Sequence, residues 1–170
     1  MSLRERPTAE DPCPIARAVD AVGDRWTLHI LKHANVGLTR FEQFKAELGI
    51  ADNILSARLG RLVEDGLLVK VPYAGSGRTR HEYRLTRAGA DLMPLLHALA
   101  AWGEVHTSSA AQPGPIEFIH DDCGTGLIAD NYCETCDRVI AREEESWVRP
   151  WRAQVVTPVA PPFAQLDQGA

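Results

Sequence analysis

The sequence predicts a mainly α fold with a small β-hairpin wing, a winged helix-turn-helix, followed by a small zinc-ribbon-like C-terminal segment. Three observations carry this. Apolar residues recur at helical spacing in five consecutive stretches between Pro14 and Trp102. Two short β-rich stretches, 67–73 and 79–85, stand between the fourth and fifth of these and are separated by a Gly/Ser tip. Beyond residue 115, three of the four cysteines gather with a histidine at metal-ligand spacing.

The first twelve residues are polar, contain Pro7 and Pro12, and read as a flexible arm. Pro14 suits the first position of a helix, where its missing N–H costs nothing, and Ile15, Ala18, Val19 and Val22 line one face. Gly23 ends that helix, and Asp24 caps a second with Thr27, Leu31 and Ala34 on one side. Thr39-Arg40-Phe41-Glu42 fits a capping box for a third helix with Phe41, Phe44 and Leu48 inward. After the turn Gly49-Ile50-Ala51, Asp52 caps a fourth, whose Leu55, Leu59 and Leu62 face the core. Two short helices joined by a Gly-containing turn form the helix-turn-helix arrangement. The hairpin follows, with its tip at Ala74–Arg78. Thr86 then caps a longer helix in which Pro94 introduces a bend. Its apolar face, Leu92 to Trp102 with Met93, Ala98 and Ala100, is wider than one small domain covers, which points to a second subunit. The domain is taken to span 13–106 and the linker 107–115. A Cys-rich module then occupies 116–142, in which Val139-Ile140 pairs with Ile116–Ile119, and 143–170 forms an extended Pro-rich tail. Module and helical domain are each expected to fold on their own contacts.

At 170 residues, with 45% hydrophobic and 24% charged, the chain affords a packed core and excludes wholesale disorder. No apolar signal segment opens it, and its longest apolar run falls short of the ~20 residues of a membrane span. A cytoplasmic protein with no membrane partner is expected. The net charge of −5 hides an asymmetry: residues 1–106 carry 14 bases against 13 acids, residues 107–170 only 4 against 10. Within 53–87 seven bases face three acids, the local stripe a phosphate-binding surface requires.

In a helix-turn-helix the second helix enters the major groove. Stepping about 100° per residue, the face opposite the leucines carries Asn53, Ala57, Gly60 and Arg61, flanked by Ser56 and Arg58. Asn53 suits an adenine edge, and small residues at 57 and 60 admit close approach to bases. Arg40, at the start of the third helix, suits a phosphate, and Arg78 and Arg80 in the wing reach the backbone or minor groove.

Cys13-Pro14-Ile15-Ala16-Arg17 through Gly23-Asp24-Arg25-Trp26-Thr27-Leu28 resembles the opening signature of HxlR-type winged helix-turn-helix regulators, within the MarR-like superfamily. Arg40–Phe44 and Asn53–Leu59 are similar to that family's DNA-binding helices, and Glu82–Thr86 and Ala100–Gly103 to its second wing strand and last helix. The resemblance covers about 13–106 and implies a homodimer, joined through first and last helices, on a palindromic double-stranded operator. Ala57 departs from it, since many members carry a basic residue there.

His120, Cys123, Cys133 and Cys136 form two short-spaced pairs that can close a tetrahedron around one structural Zn²⁺ per chain, with Asp121 and Asp122 as competing fourth ligands. A deaminase is not indicated: Asp122 stands where the catalytic Glu belongs, Tyr132 replaces the expected Pro, and four protein ligands leave no open position. No enzyme activity is expected. Cys13, at a helix N-terminus where a thiolate is favoured, is a redox-sensing candidate, a role the family resemblance also supports. The function expected is a DNA-binding transcriptional regulator, a repressor, redox- or electrophile-responsive through Cys13. The alternative is a zinc-bearing adaptor that keeps the winged fold without specific DNA binding.

Overall fold

The computed structural model describes residues 12–73, 80–107, 114–128, 131–152 and 156–163. The expected N-terminal arm (but for Pro12), the wing tip with Arg78, most of the linker and the last seven residues lie outside these. The helical part runs α1 (Pro14–Val22), α2 (Arg25–Asn35), α3 (Phe41–Leu48), α4 (Asp52–Glu64), β1 (Leu68–Tyr73), β2 (Arg80–Leu85), α5 (Arg87–Ala90) and α6 (Met93–His106). Strands β1 and β2 pair antiparallel from Leu68↔Leu85 to Tyr73↔Arg80.

Local chemistry explains the helix starts. Pro14 opens α1, and the Asp24 carboxylate accepts from the Trp26 N–H at 3.0 Å to cap α2. At α3 the capping partner is Gln43 rather than Glu42. Its amide oxygen accepts from the Thr39 and Arg40 N–H groups at 3.0 and 2.8 Å, because the helix starts one residue later than the Thr39 box predicts. Likewise Asp52 is the first residue of α4 and not its cap. Gly49 ends α3 at φ 60°, a left-handed turn that favours glycine, and so sets the angle between α3 and α4.

The long helix expected from Thr86 is divided, not bent. Thr86 Oγ1 accepts from the Gly89 N–H at 3.1 Å to cap α5, the chain turns at 91–92, and α6 restarts at Met93. Pro94 explains the break, since it lacks an N–H and its ring opposes the carbonyl four residues earlier, so it is tolerated only in a first turn. Gly89 packs directly on the wing: a Cβ there would lie 2.1 Å from the Leu67 carbonyl oxygen. Ile30, Leu31, Phe44, Leu55, Leu59, Leu62 and Leu68 form the first core.

The C-terminal part departs most from expectation. Val139 does not pair with Ile119. Instead β4 (Tyr132–Cys133) pairs with β5 (Arg138–Val139), while β3 (Glu117–His120) pairs with β6 (Glu145–Val148), which pairs in turn with β7 (Val156–Pro158). The stretch after 143, expected as an extended tail, thus supplies two strands of a three-stranded sheet. Nor does it stand apart from the helices. Trp147, 1% exposed, packs with Met93 and Leu96 of α6, Val36 and Val159, and meets Phe118 edge-on at 5.3 Å.

Polar groups lock the same junction. The Arg142 guanidinium donates to the Asn35 side-chain oxygen at 2.5 Å, to the Ala160 carbonyl at 2.8 Å and to the Ala90 carbonyl at 3.2 Å. The fully buried Glu145 carboxylate accepts from Trp147 Nε1 at 2.6 Å and Asn131 at 3.0 Å, and faces His97 Nε2 of α6 at 2.8 Å. The chain then returns over the winged domain, where the Ala160 N–H donates to the Asn35 carbonyl and the Phe163 N–H to the Leu85 carbonyl, both at 2.7 Å. A small sheet cannot bury enough apolar surface alone, so it completes its core with the inner face of α6.

Candidate nucleic-acid interface and metal centre

Helix α4 buries Leu55, Leu59 and Leu62 and turns Asn53, Ile54, Ser56, Ala57 and Gly60 to solvent. The two arginines on this helix are held by the protein itself. Arg58 Nη1 lies 3.2 Å from the Asp24 carboxylate. Arg61 does not stand out from the open face beside Gly60: it turns back, donating to Asp65 at 3.2 Å and to the Asp20 carbonyl of α1 at 3.1 Å. Burial pushes the Asp24 carboxyl up, but bonds from the Thr27 hydroxyl and the Trp26 N–H, with the Arg58 charge, hold it below the usual range. Asp24 therefore ties the start of α2 to the middle of α4.

The wing is joined to α3 by one carboxylate. Glu82 accepts from Arg40 Nε at 3.2 Å and from Arg84 Nη2 at 3.0 Å, and although burial raises its carboxyl, those two cations draw it below the usual range. Arg40 also lies over the Tyr73 ring at 4.7 Å and keeps 53% of its side chain exposed. Arg80, the first residue of β2, is exposed beside it. Glu82 thus gathers Arg40 and Arg84 at the junction of α3 and the wing, and sequence reasoning missed it as the organiser there. Its placement opposite Arg40 depends on a strand pairing across 42 positions that no local pattern displays.

Away from this surface, Ile15 and Val19 of α1 and Leu95, Leu99, Trp102 and Val105 of α6 remain exposed, with Val105 at 75%. Met93, expected on that open face, faces inward on Trp147. Cys13 is exposed at the N-cap of α1, with φ −78° and ψ 112°.

The ligand atoms of His120, Cys123, Cys133 and Cys136 all lie within 4.8 Å of one another. His120 Nδ1 is 3.2 Å from Cys123 Sγ and 3.4 Å from Cys136 Sγ, and Cys123 Sγ is 3.5 Å from Cys133 Sγ. Tetrahedral Zn–S bonds of about 2.3 Å and Zn–N bonds of about 2.0 Å require edges of roughly 3.5–3.8 Å, so the donor set fits with little movement. The geometry favours the sulfur-rich set over Asp121 or Asp122: Asp122 lies 3.7 Å from the other ring nitrogen, Nε2, as does Glu144 at 3.9 Å. Carboxylates behind a histidine fix its ring orientation. The Thr125 hydroxyl and N–H hold the Cys123 thiol down to about 6. Desolvation and the neighbouring thiols push Cys136 up to about 11.

A family model described as HxlR-like helix-turn-helix matches residues 21–111. The chain belongs to the HxlR-like family. Consistent with this HxlR-like assignment, it is 43% identical over 126 residues to an uncharacterized HTH-type transcriptional regulator, Mb3122, of Mycobacterium bovis, covering 74% of this chain and 78% of that one. Among solved structures, PA1607, a putative transcription factor, matches with a TM-score of 0.63 at 39% identity over 79% of this chain and 93% of its own. The oxidized form of the redox regulator HypR matches with a TM-score of 0.53 at 28% identity, over 57% of this chain and all of its own. HxlR-like relatives are helix-turn-helix transcriptional regulators, and this chain shares their winged fold. No helix among the described residues is long and apolar enough to cross a membrane.

Proposed function

We propose that this HxlR-like regulator is a homodimer that binds a palindromic operator and represses by blocking polymerase. The observation that carries the reading is the exposed face of α4, polar and small-sided at Asn53, Ser56, Ala57 and Gly60, together with the exposed Arg40 and Arg80 at the wing junction. Asn53 and Ser56 read base edges, Ala57 and Gly60 permit close approach, and Arg40 and Arg80 contact phosphates. Arg58, Arg61 and Arg78 join these contacts on DNA; Arg58 and Arg61 do so by exchanging their carboxylate partners for phosphate. The exposed apolar residues of α1 and α6 supply the dimer contact that sets the two α4 helices about 34 Å apart, one helical turn of DNA.

One structural Zn²⁺ is held by His120, Cys123, Cys133 and Cys136, bracing the module against α6 through the neighbouring Glu144-Glu145 segment. Cys13 is the redox-sensing residue of this reading. An adduct at the start of α1, beside the exposed Ile15 and Val19, changes the angle between subunits. The resemblance in fold to HypR supports it.

The test is recovery of bound genomic fragments followed by titration of the recovered duplex against salt. Phosphate neutralisation requires the logarithm of affinity to fall linearly with the logarithm of salt, and Arg80→Ala to reduce that slope by about 1. Recovery of no sequence-specific fragment, with salt-independent binding, supports the zinc-bearing adaptor instead.

A further inference from the structure

Helix α2 faces the 149–152 turn across a cavity of about 300 Å³ whose wall carries four cations, Arg25, Lys32, Arg149 and Arg152, against one carboxylate, Glu47. That carboxylate is taken by Arg152. Among the described residues, Arg25, Lys32 and Arg149 have no carboxylate within ion-pair distance. Two polar atoms at this wall are also unsatisfied. His33, 6% exposed, leaves Nδ1 buried with no hydrogen-bond partner, and Arg149 leaves Nε in the same state while its Nη2 donates to Thr157 at 3.0 Å.

Arg25 and Arg152 are exposed, but Lys32 and Arg149 are partly buried, and partly buried cations beside buried donors without acceptors are costly unless something compensates them. The surroundings respond accordingly: burial, with Arg149 and Arg152 nearby, pushes the Lys32 ammonium below its usual range, and burial beside Lys32 takes His33 down to about 3. A neutral imidazole can carry its hydrogen on Nδ1 and donate it. An anion placed here would meet both the cations and the buried donors.

A second cavity, of about 330 Å³, shares Arg25, His29 and Lys32 with the first and runs inward to Leu96, Phe118 and Trp147. The two thus adjoin across Arg25, His29 and Lys32, one side cationic and the other apolar. Pockets of this kind, mostly apolar with a few convergent polar groups, suit small organic ligands.

We propose that the adjoining cavities together bind an aromatic carboxylate, its charge between Lys32, Arg149 and His33 and its ring among Leu96, Phe118 and Trp147. About a third of the wall belongs to the C-terminal module, so the site depends on that module closing over α2 and α6. It also touches the DNA-reading helix indirectly, since Asp24, next to Arg25, holds Arg58 of α4.

The experiment is calorimetric titration of the full-length protein with naphthalene-1-carboxylate, with its neutral counterpart 1-naphthylmethanol, and with inorganic phosphate. Saturable binding of the carboxylate is expected, with the alcohol at least tenfold weaker and phosphate alone weaker still. Lys32→Gln and Arg149→Gln are each expected to weaken carboxylate binding at least tenfold. Lys32→Gln is the decisive variant should Arg149→Gln fail to fold, as judged by circular dichroism. Equal binding of carboxylate and alcohol, no saturable heat, or phosphate binding as tightly as the carboxylate overturns the proposal. So does loss of duplex DNA affinity in ligand-free Lys32→Gln equal to its loss of carboxylate affinity, which would make the cluster a DNA-backbone contact.

Discussion

Replacing Trp147 with alanine isolates the coupling between the C-terminal module and the helical domain. The indole is 1% exposed, fills the space between Met93, Leu96, Val36 and Val159, and donates its N–H to Glu145 at 2.6 Å. Emptying a site of this kind costs about 3–5 kcal/mol, because the surroundings collapse only partly. Against a total stability of ~5–15 kcal/mol that is a large fraction. At about 2–4 °C per kcal/mol for a chain of this size, Tm falls by about 6–20 °C. Trp147→Phe keeps most of the apolar volume and loses the bond to the carboxylate, worth about 1.5–3 kcal/mol, so it is expected between wild type and alanine. Scanning calorimetry, with the helical signal followed by far-ultraviolet circular dichroism, reads both variants. One transition that shifts as a whole is expected in each. Two transitions, with the main helical one unmoved by Trp147→Ala, would refute the shared core.

Gly89→Ala places a Cβ 2.1 Å from a backbone oxygen of Leu67, so it should destabilise by more than ~2 kcal/mol, measured by urea unfolding; an effect under about 0.5 kcal/mol would contradict the close approach. Metal analysis of protein purified without chelator should give one zinc per chain and Cys133→Ser well under half of that, with Tm lowered for the whole chain because the module braces α6; zinc-free wild type removes the site. Thiol-reactive quinones or disulfide stress should release DNA from the wild type and from Cys123→Ser but not from Cys13→Ser. A wild-type response in Cys13→Ser, followed by mobility shift, places any sensing elsewhere.

The winged domain was legible because its determinants are local. Pro14, Asp24 and Thr86 lie where helices begin, and Leu55, Leu59 and Leu62 repeat at helical spacing, so the order of elements from α1 to β2 follows from neighbours in sequence. The gathering of His120, Cys123, Cys133 and Cys136 was legible for the same reason, since each pair lies close in sequence. What escaped depends on distant partners. Strand β6 is four residues, Glu-Ser-Trp-Val, after an acidic run and before a proline-rich stretch, and reads as solvated chain until β3 and β7 flank it. Arg142 looks like a surface charge in sequence, yet its acceptors are Asn35, Ala90 and Ala160, up to 107 positions away. The isolated Trp147 and Val159 were the available signal, being large apolar residues in a segment with no evident reason to expose them. The open face of α4 was read with the correct alternation, but rotation about the helix axis cannot tell that the Arg61 guanidinium curls back to Asp20.

The central claim is that two α4 helices of a dimer enter successive major grooves. Hydroxyl-radical footprinting on a recovered genomic fragment tests it most directly. Two protected patches on one face of the duplex, centred about 34 Å apart and related by a dyad, are expected, with Arg80→Ala weakening both. A single patch, or none above the non-specific background, would contradict the account.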